Sequence, residues 1–146
     1  MTDDELVHRR VLRAPRELVW RCLTEPVELA QFWGPAGMVT PVEGVVVELR
    51  PGGRFETLMV GDHGSYRMVA TFTEVVPPER LAWVEPATGL HTTSTLDDLG
   101  DGTTAVVIRQ RDVPAAMRTP EARAGFLTSL DKLEDHLLHL TQGNLP

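Results

Sequence analysis

The sequence predicts an α+β domain in which one curved antiparallel β-sheet wraps around a long C-terminal α-helix, with two short helices after the first strand. Three observations carry this expectation. Between Thr119 and Gln142, apolar residues recur as Phe126, Leu130, Leu133, Leu137 and Leu140, and steps of three and four place them on one helical face. Residues 39–110 read as successive β-prone segments divided by Gly, Pro and Asp turns. No helical pattern lies between those segments to carry a parallel crossover, so their pairing is predicted to be antiparallel.

The elements follow in order. Val7 to Arg13 is a first strand, with Val7, Arg9, Val11 and Arg13 alternating with His8, Arg10 and Leu12. Pro15 can open a helix, Glu17 suits its positive end, and Leu18, Val19, Cys22 and Leu23 form its apolar face. Thr24 is predicted to cap a second helix that runs to Trp33 and stops at Gly34-Pro35. Strands are expected over Val39–Leu49, over Phe55–Val60 after the Pro51-Gly52-Gly53 turn, and over Tyr66–Val76 after Gly61-Asp62-His63-Gly64. Leu81–Glu85, Leu90–Leu96 and Thr103–Gln110 complete the series. Thr119 is a candidate N-cap for the last helix, Pro120 fits its first position, and Gly143 and Pro146 are stop signals. Such a helix would be roughly 35 Å long.

Composition narrows the function classes. A chain of 146 residues suits one domain with a real core, here taken as residues 1–146 with its structured part over about 7–142. No stretch reaches the ~20 apolar residues of a membrane span, and the acidic start Asp3-Asp4-Glu5 does not read as a signal peptide. That acidic start is expected to be solvated and mobile. The single cysteine, Cys22, excludes an internal disulfide and fits a cytoplasmic location. A net charge of −7 argues against nucleic-acid binding and against attraction to anionic membranes.

Several segments then carry a resemblance. Ala14-Pro15-Arg16-Glu17-Leu18-Val19-Trp20, Thr24-Glu25-Pro26 leading to Phe32-Trp33-Gly34-Pro35, and Pro51-Gly52-Gly53-Arg54-Phe55 occur in sequence. Glu74-Val75-Val76-Pro77-Pro78-Glu79-Arg80-Leu81, Leu99-Gly100-Asp101-Gly102-Thr103 and the closing Gly125-Phe126 to Leu137 follow. In this order they resemble the family related to the activator of Hsp90 ATPase homologue 1, within the START/Bet v 1-like (SRPBCC) superfamily of helix-grip proteins. Phe32 and Phe126 stand where many relatives have tryptophan. The resemblance implies a hydrophobic small molecule held between sheet and helix. It leaves open a cyclase- or hydrolase-type enzyme using the same space, or a co-chaperone-like, stress-related interaction module.

Alternation within the strands selects the candidate ligand contacts. The predicted inward sets are Phe55, Thr57, Met59; Tyr66, Met68, Ala70, Phe72; Leu81, Trp83; Thr92, Ser94, Leu96; and Val106, Ile108, Gln110. Against them the helix presents Phe126, Leu130, Leu133 and Leu137. Trp33, Phe55, Tyr66, Met68, Phe72, Trp83, Gln110, Phe126 and Leu130 are the cavity-lining candidates. The aromatic rings offer broad apolar contact, and Gln110 can both donate and accept a hydrogen bond. Glu56, Glu85, Arg54 and Arg67 are expected on the solvated outer face, and His136 and His139 as a surface pair. No motif names a catalytic residue, metal or cofactor, so none is expected. Asp97-Asp98-Leu99-Gly100-Asp101-Gly102 lacks the ligand positions of a calcium loop and reads as a hairpin turn. Homodimerisation through the sheet or helix surface is left open.

Overall fold

A computed structural model describes residues 5–142. The expected features at Asp3, Asp4, Gly143 and Pro146 lie outside the described residues. Strands β1 (Leu6–Leu12), β2 (Val46–Val47), β3 (Arg54–Gly61), β4 (Gly64–Val76), β5 (Arg80–Glu85), β6 (Leu90–Asp98) and β7 (Thr104–Arg111) form one sheet. Helices α1 (Arg16–Thr24) and α2 (Pro26–Phe32) follow β1, and α3 (Pro120–Gln142) closes the described chain. Every pairing is antiparallel, in the order β1-β7-β6-β5-β4-β3-β2. Strands β2 to β7 make a meander, and β1 completes the far edge by pairing Leu6 with Gln110 and Leu12 with Thr104.

Helix α3 begins as its sequence predicts. The Ala122 amide donates to Thr119 Oγ1 at 3.1 Å, which occupies one of the free N–H groups of the first turn. Leu130, Leu133 and Leu137 are buried on the stripe. Burying each leucine contributes roughly 1.5–3 kcal/mol, so the stripe, more than intrinsic propensity, holds the helix to the sheet.

Three local expectations are corrected. The strand predicted over Val39–Leu49 is reduced to Val46–Val47, preceded by a 3-10 turn at Val42–Gly44 and one isolated bridge between Val39 and Val60. Pro41 has no N–H to give a ladder and stands at the N-cap of that turn, so β-branched composition is overridden there. Thr24 does not cap α2. It is the last residue of α1, where its hydroxyl donates back to the Trp20 carbonyl at 2.8 Å, and Glu25 holds the cap position of α2. Trp33 follows α2 as its C-cap, outside the helix.

The turn before β3 has a strict steric requirement. A Cβ on Gly53 would run into the Glu48 carbonyl oxygen, so only glycine lets the chain pass there. Between β4 and β5 the register shifts from Phe72 to Glu74, a bulge that places one extra residue in β4.

Candidate functional site

The concave face of the sheet and α3 enclose the apolar core. Phe55 lies at its centre, stacked on Phe72 with ring centroids 5.1 Å apart and edge-on to Trp83 at 5.0 Å. Trp33 closes the cluster, 5.4 Å from Phe55 and 6.3 Å from Trp83. Four candidates named by alternation and position thus sit in one aromatic cluster. Met68 and Leu130 are also buried in this core, and Phe126 packs at its edge.

Polar side chains interrupt the same face. His8, Thr57, Thr92, Ser94 and Gln110 are all buried. Register explains their placement: Gln110 lies between Leu6 and Thr92, Thr92 faces Trp83, and the neighbouring row runs His8, Ile108, Ser94, Leu81. The His8 ring stacks on Phe126 with centroids 4.4 Å apart, beneath the first half of α3. Neither His8 Nε2 nor Thr57 Oγ1 has a hydrogen-bond partner among the described residues. Burial lowers the His8 pKa, with the nearby Arg123 guanidinium adding to the effect.

Two residues depart from their expected positions. Tyr66 shares the strand face of Met68 and Phe72 but is 51% exposed, because it lies at the β3–β4 hairpin end, opposite Met59. It borders an open cleft of about 480 Å³ formed by residues 36–38 and 61–66. Glu85, expected on the outer face, alternates with Val84 and so shares the face of Trp83, opposite the buried Leu90. Burial raises its carboxyl pKa, and its charge in turn helps to raise that of Tyr66, after burial itself. Glu56 lies on the face opposite Phe55 and Thr57, as expected, but its side chain is 14% exposed, not solvated; its carboxylate is 2.8 Å from Arg54 Nε and held below the usual range by that hydrogen bond.

A strap connects α2 to the sheet across the side of α3. Thr128 Oγ1 accepts from the Ala36 amide at 3.0 Å, and Lys132 Nζ donates to the carbonyls of Gly34 (3.0 Å) and Met38 (3.3 Å). Gly34 adopts φ of +94° where the chain leaves Trp33, and a Cβ there would press on the Met59 side chain. Lys132 is the only lysine of the sequence. It ties the strap to the helix, and partial burial lowers its pKa.

A separate cluster forms where the three helices meet. His136 Nε2 lies 3.1 Å from Glu28 Oε1, and Arg21 Nη2 lies 3.0 Å from Glu28 Oε2. The sequence expectation of a surface His136–His139 pair is therefore corrected: His136 turns toward α2, with its side chain 11% exposed, while His139 faces solvent. Cys22 is fully buried beside them, and its thiol pKa is pushed up to about 12, first by burial and then by the Glu28 carboxylate. No local spacing signals this cluster, because Glu28 and His136 are 108 positions apart.

A sheet gripping one long helix, with two short helices at its corner, defines a helix-grip protein of the SRPBCC type. Residues 13–137 match the family described as activator of Hsp90 ATPase homolog 1-like protein, and the chain belongs to that family. Solved structures agree. A protein from Nitrosomonas europaea is 26% identical with a TM-score of 0.83, covering 97% of this chain and 99% of its own. One from Chromobacterium violaceum is 27% identical with a TM-score of 0.80, covering 91% and 96%. An AHSA1-like protein from Aeromonas hydrophila, 23% identical, shares the fold with a TM-score of 0.81 and covers 97% of each chain. Comparison with curated proteins gives no match. No helix among the described residues is long and apolar enough to cross a membrane.

Proposed function

We propose that this protein binds a small hydrophobic molecule carrying hydrogen-bonding atoms, held between the concave sheet and the first half of α3. The observation that carries the reading is His8 Nε2, buried without a partner where its ring stacks on Phe126 beneath α3; Thr57 Oγ1, likewise without a partner, lies on β3, across the sheet from β1. Each such atom costs about 1–3 kcal/mol while unsatisfied. A ligand supplying the missing hydrogen bond to His8 would recover that cost and add the burial of its own apolar surface. Gln110 and Thr92, adjacent on the same face, would orient its polar end. Trp33, Phe55, Trp83, Phe126 and Leu130 would surround its apolar part. Entry requires the strap over residues 34–38 to lift from Thr128 and Lys132.

Native mass spectrometry of the freshly purified protein, followed by extraction, tests this directly. A stoichiometric extra mass of an apolar compound is the expected result. Gln110→Leu should then weaken a ligand with a polar end more than an apolar analogue. A clean protein mass, with no thermal shift across lipids, aromatics and polyketide-like compounds, would reject the reading and turn attention to the outer surface.

A further inference from the structure

The meeting point of the three helices has the composition of a transition-metal site. Cys22 Sγ from α1, a Glu28 carboxylate oxygen from α2 and a His136 ring nitrogen from α3 all lie within 4.8 Å of one another. We propose that Cys22, Glu28 and His136 bind a zinc ion, with a water molecule in the fourth position. This proposal is independent of ligand binding under α3.

The donor set selects the metal. Thiolate, imidazole and carboxylate together suit borderline-soft Zn²⁺, which accepts sulfur, nitrogen and oxygen in a tetrahedron at about 2.0–2.3 Å. The 3.1 Å between His136 Nε2 and Glu28 Oε1 already approximates one edge of such a tetrahedron, so only the thiol has to draw closer. Arg21 holds the other carboxylate oxygen through Nη2 at 3.0 Å and Nε at 3.2 Å, which fixes the carboxylate plane in the manner of an outer-shell partner. The side chains of Glu28 and His136 are 13% and 11% exposed, so an ion reaches the fully buried sulfur from their side.

Binding balances simply. The Cys22 thiol releases its proton to solvent and the thiolate sulfur bonds the metal. In the metal-free form His136 Nε2–H donates to the Glu28 carboxylate; on binding, that proton leaves to solvent, the ring carries its proton on Nδ1, and Nε2 presents its lone pair to the metal. The glutamate takes part as the carboxylate. The bland alternative is a hydrogen-bonded network, Arg21–Glu28–His136, that pins three helices and passes Cys22 by.

Cobalt separates the two readings, because a thiolate ligand gives Co²⁺ a charge-transfer band that oxygen and nitrogen ligands do not. The full chain, stripped by a chelator, is titrated with Co²⁺ and then with Zn²⁺. Expected are a band that saturates at one equivalent and its loss as zinc displaces cobalt. C22S should abolish the band and lower zinc affinity by at least about 100-fold, the upper end of what losing an outer-shell partner costs. Should C22S fail to fold, H136Q carries the test, with the same loss of affinity, while H139Q leaves binding unchanged. No band at one equivalent, a band that survives in C22S, or binding that depends on His139 would overturn the proposal.

Discussion

The two halves of α3 meet different surroundings. In the second half, Leu133 and Leu137 are each 1% exposed, and His136 is hydrogen-bonded to Glu28 of α2. Arg10 of β1 reaches Asp131 at 2.7 Å and Glu134 at 3.5 Å near the middle of the helix. In the first half, Leu127 is 42% exposed, and Phe126 lies over a histidine whose inner nitrogen has no partner. One half is fastened by close apolar packing that leaves nothing unmet. The other rests on a face with unspent hydrogen-bonding capacity, beside a strap held by a few polar contacts. The two ends of one helix are thus held unequally, so contacts of the first half can be lost without unfolding the second.

The largest expected effect breaks this contrast from the stable side. Leu137→Ala should cost about 2–5 kcal/mol, since a fully enclosed leucine leaves a cavity that its neighbours fill only in part. Phe126→Ala should cost less than the roughly 3 kcal/mol that marks the low end for a buried phenylalanine. Urea unfolding of both variants measures the difference, provided the denaturant slopes stay equal. Equal losses would mean that both halves hold the fold alike. A smaller effect is expected from Lys132→Met, which keeps the length of the side chain and removes its two hydrogen bonds. Stability should fall by about 1 kcal/mol, while amide exchange at Ala36 and Met38 should quicken markedly. Unchanged exchange there would show that the strap is held by something other than Lys132.

How much of this was legible in the sequence depends on whether a period was involved. The stripe from Phe126 to Leu140 repeats at helical spacing over more than four turns, so the helix and its buried face could be read directly. Of the inward set read from simple alternation, Phe55, Thr57, Met68, Ala70, Phe72, Leu81, Trp83, Thr92, Ser94, Leu96, Val106, Ile108 and Gln110 are buried, Met59 is partly buried and Tyr66 is exposed. Alternation does not say where along a strand the helix stops covering the sheet, so Tyr66 was placed on the correct face and with the wrong exposure. Charge misled at Glu85, where residue type argued for solvent while its parity with Trp83 argued for the interior. The run of valines after Val39 signalled a strand that Pro41 prevents. Cys22, Glu28 and His136 offered no spacing at all, because three separate helices bring them together.

The smallest effects separate a buried histidine from a partly buried carboxyl by pH. Burial keeps the His8 imidazole below its usual value of 6.5, so as pH falls from there the unfolded chain takes up a proton that the native state refuses. Native stability should therefore decline through that window until the lowered native pKa is reached, and His8→Gln should flatten the slope. Glu85 carries the opposite sign. Its carboxyl is raised above 4.5, so as pH rises from that value the unfolded chain ionises first and stability falls until the native carboxyl has ionised too. The loss then persists at neutral pH. Glu85→Gln should consequently raise the melting temperature at pH 7, with the advantage vanishing toward pH 4. A melting temperature lowered at pH 7 would mean that the native fold holds the carboxylate by hydrogen bonds, and Glu85 would then belong to the fastening of the fold.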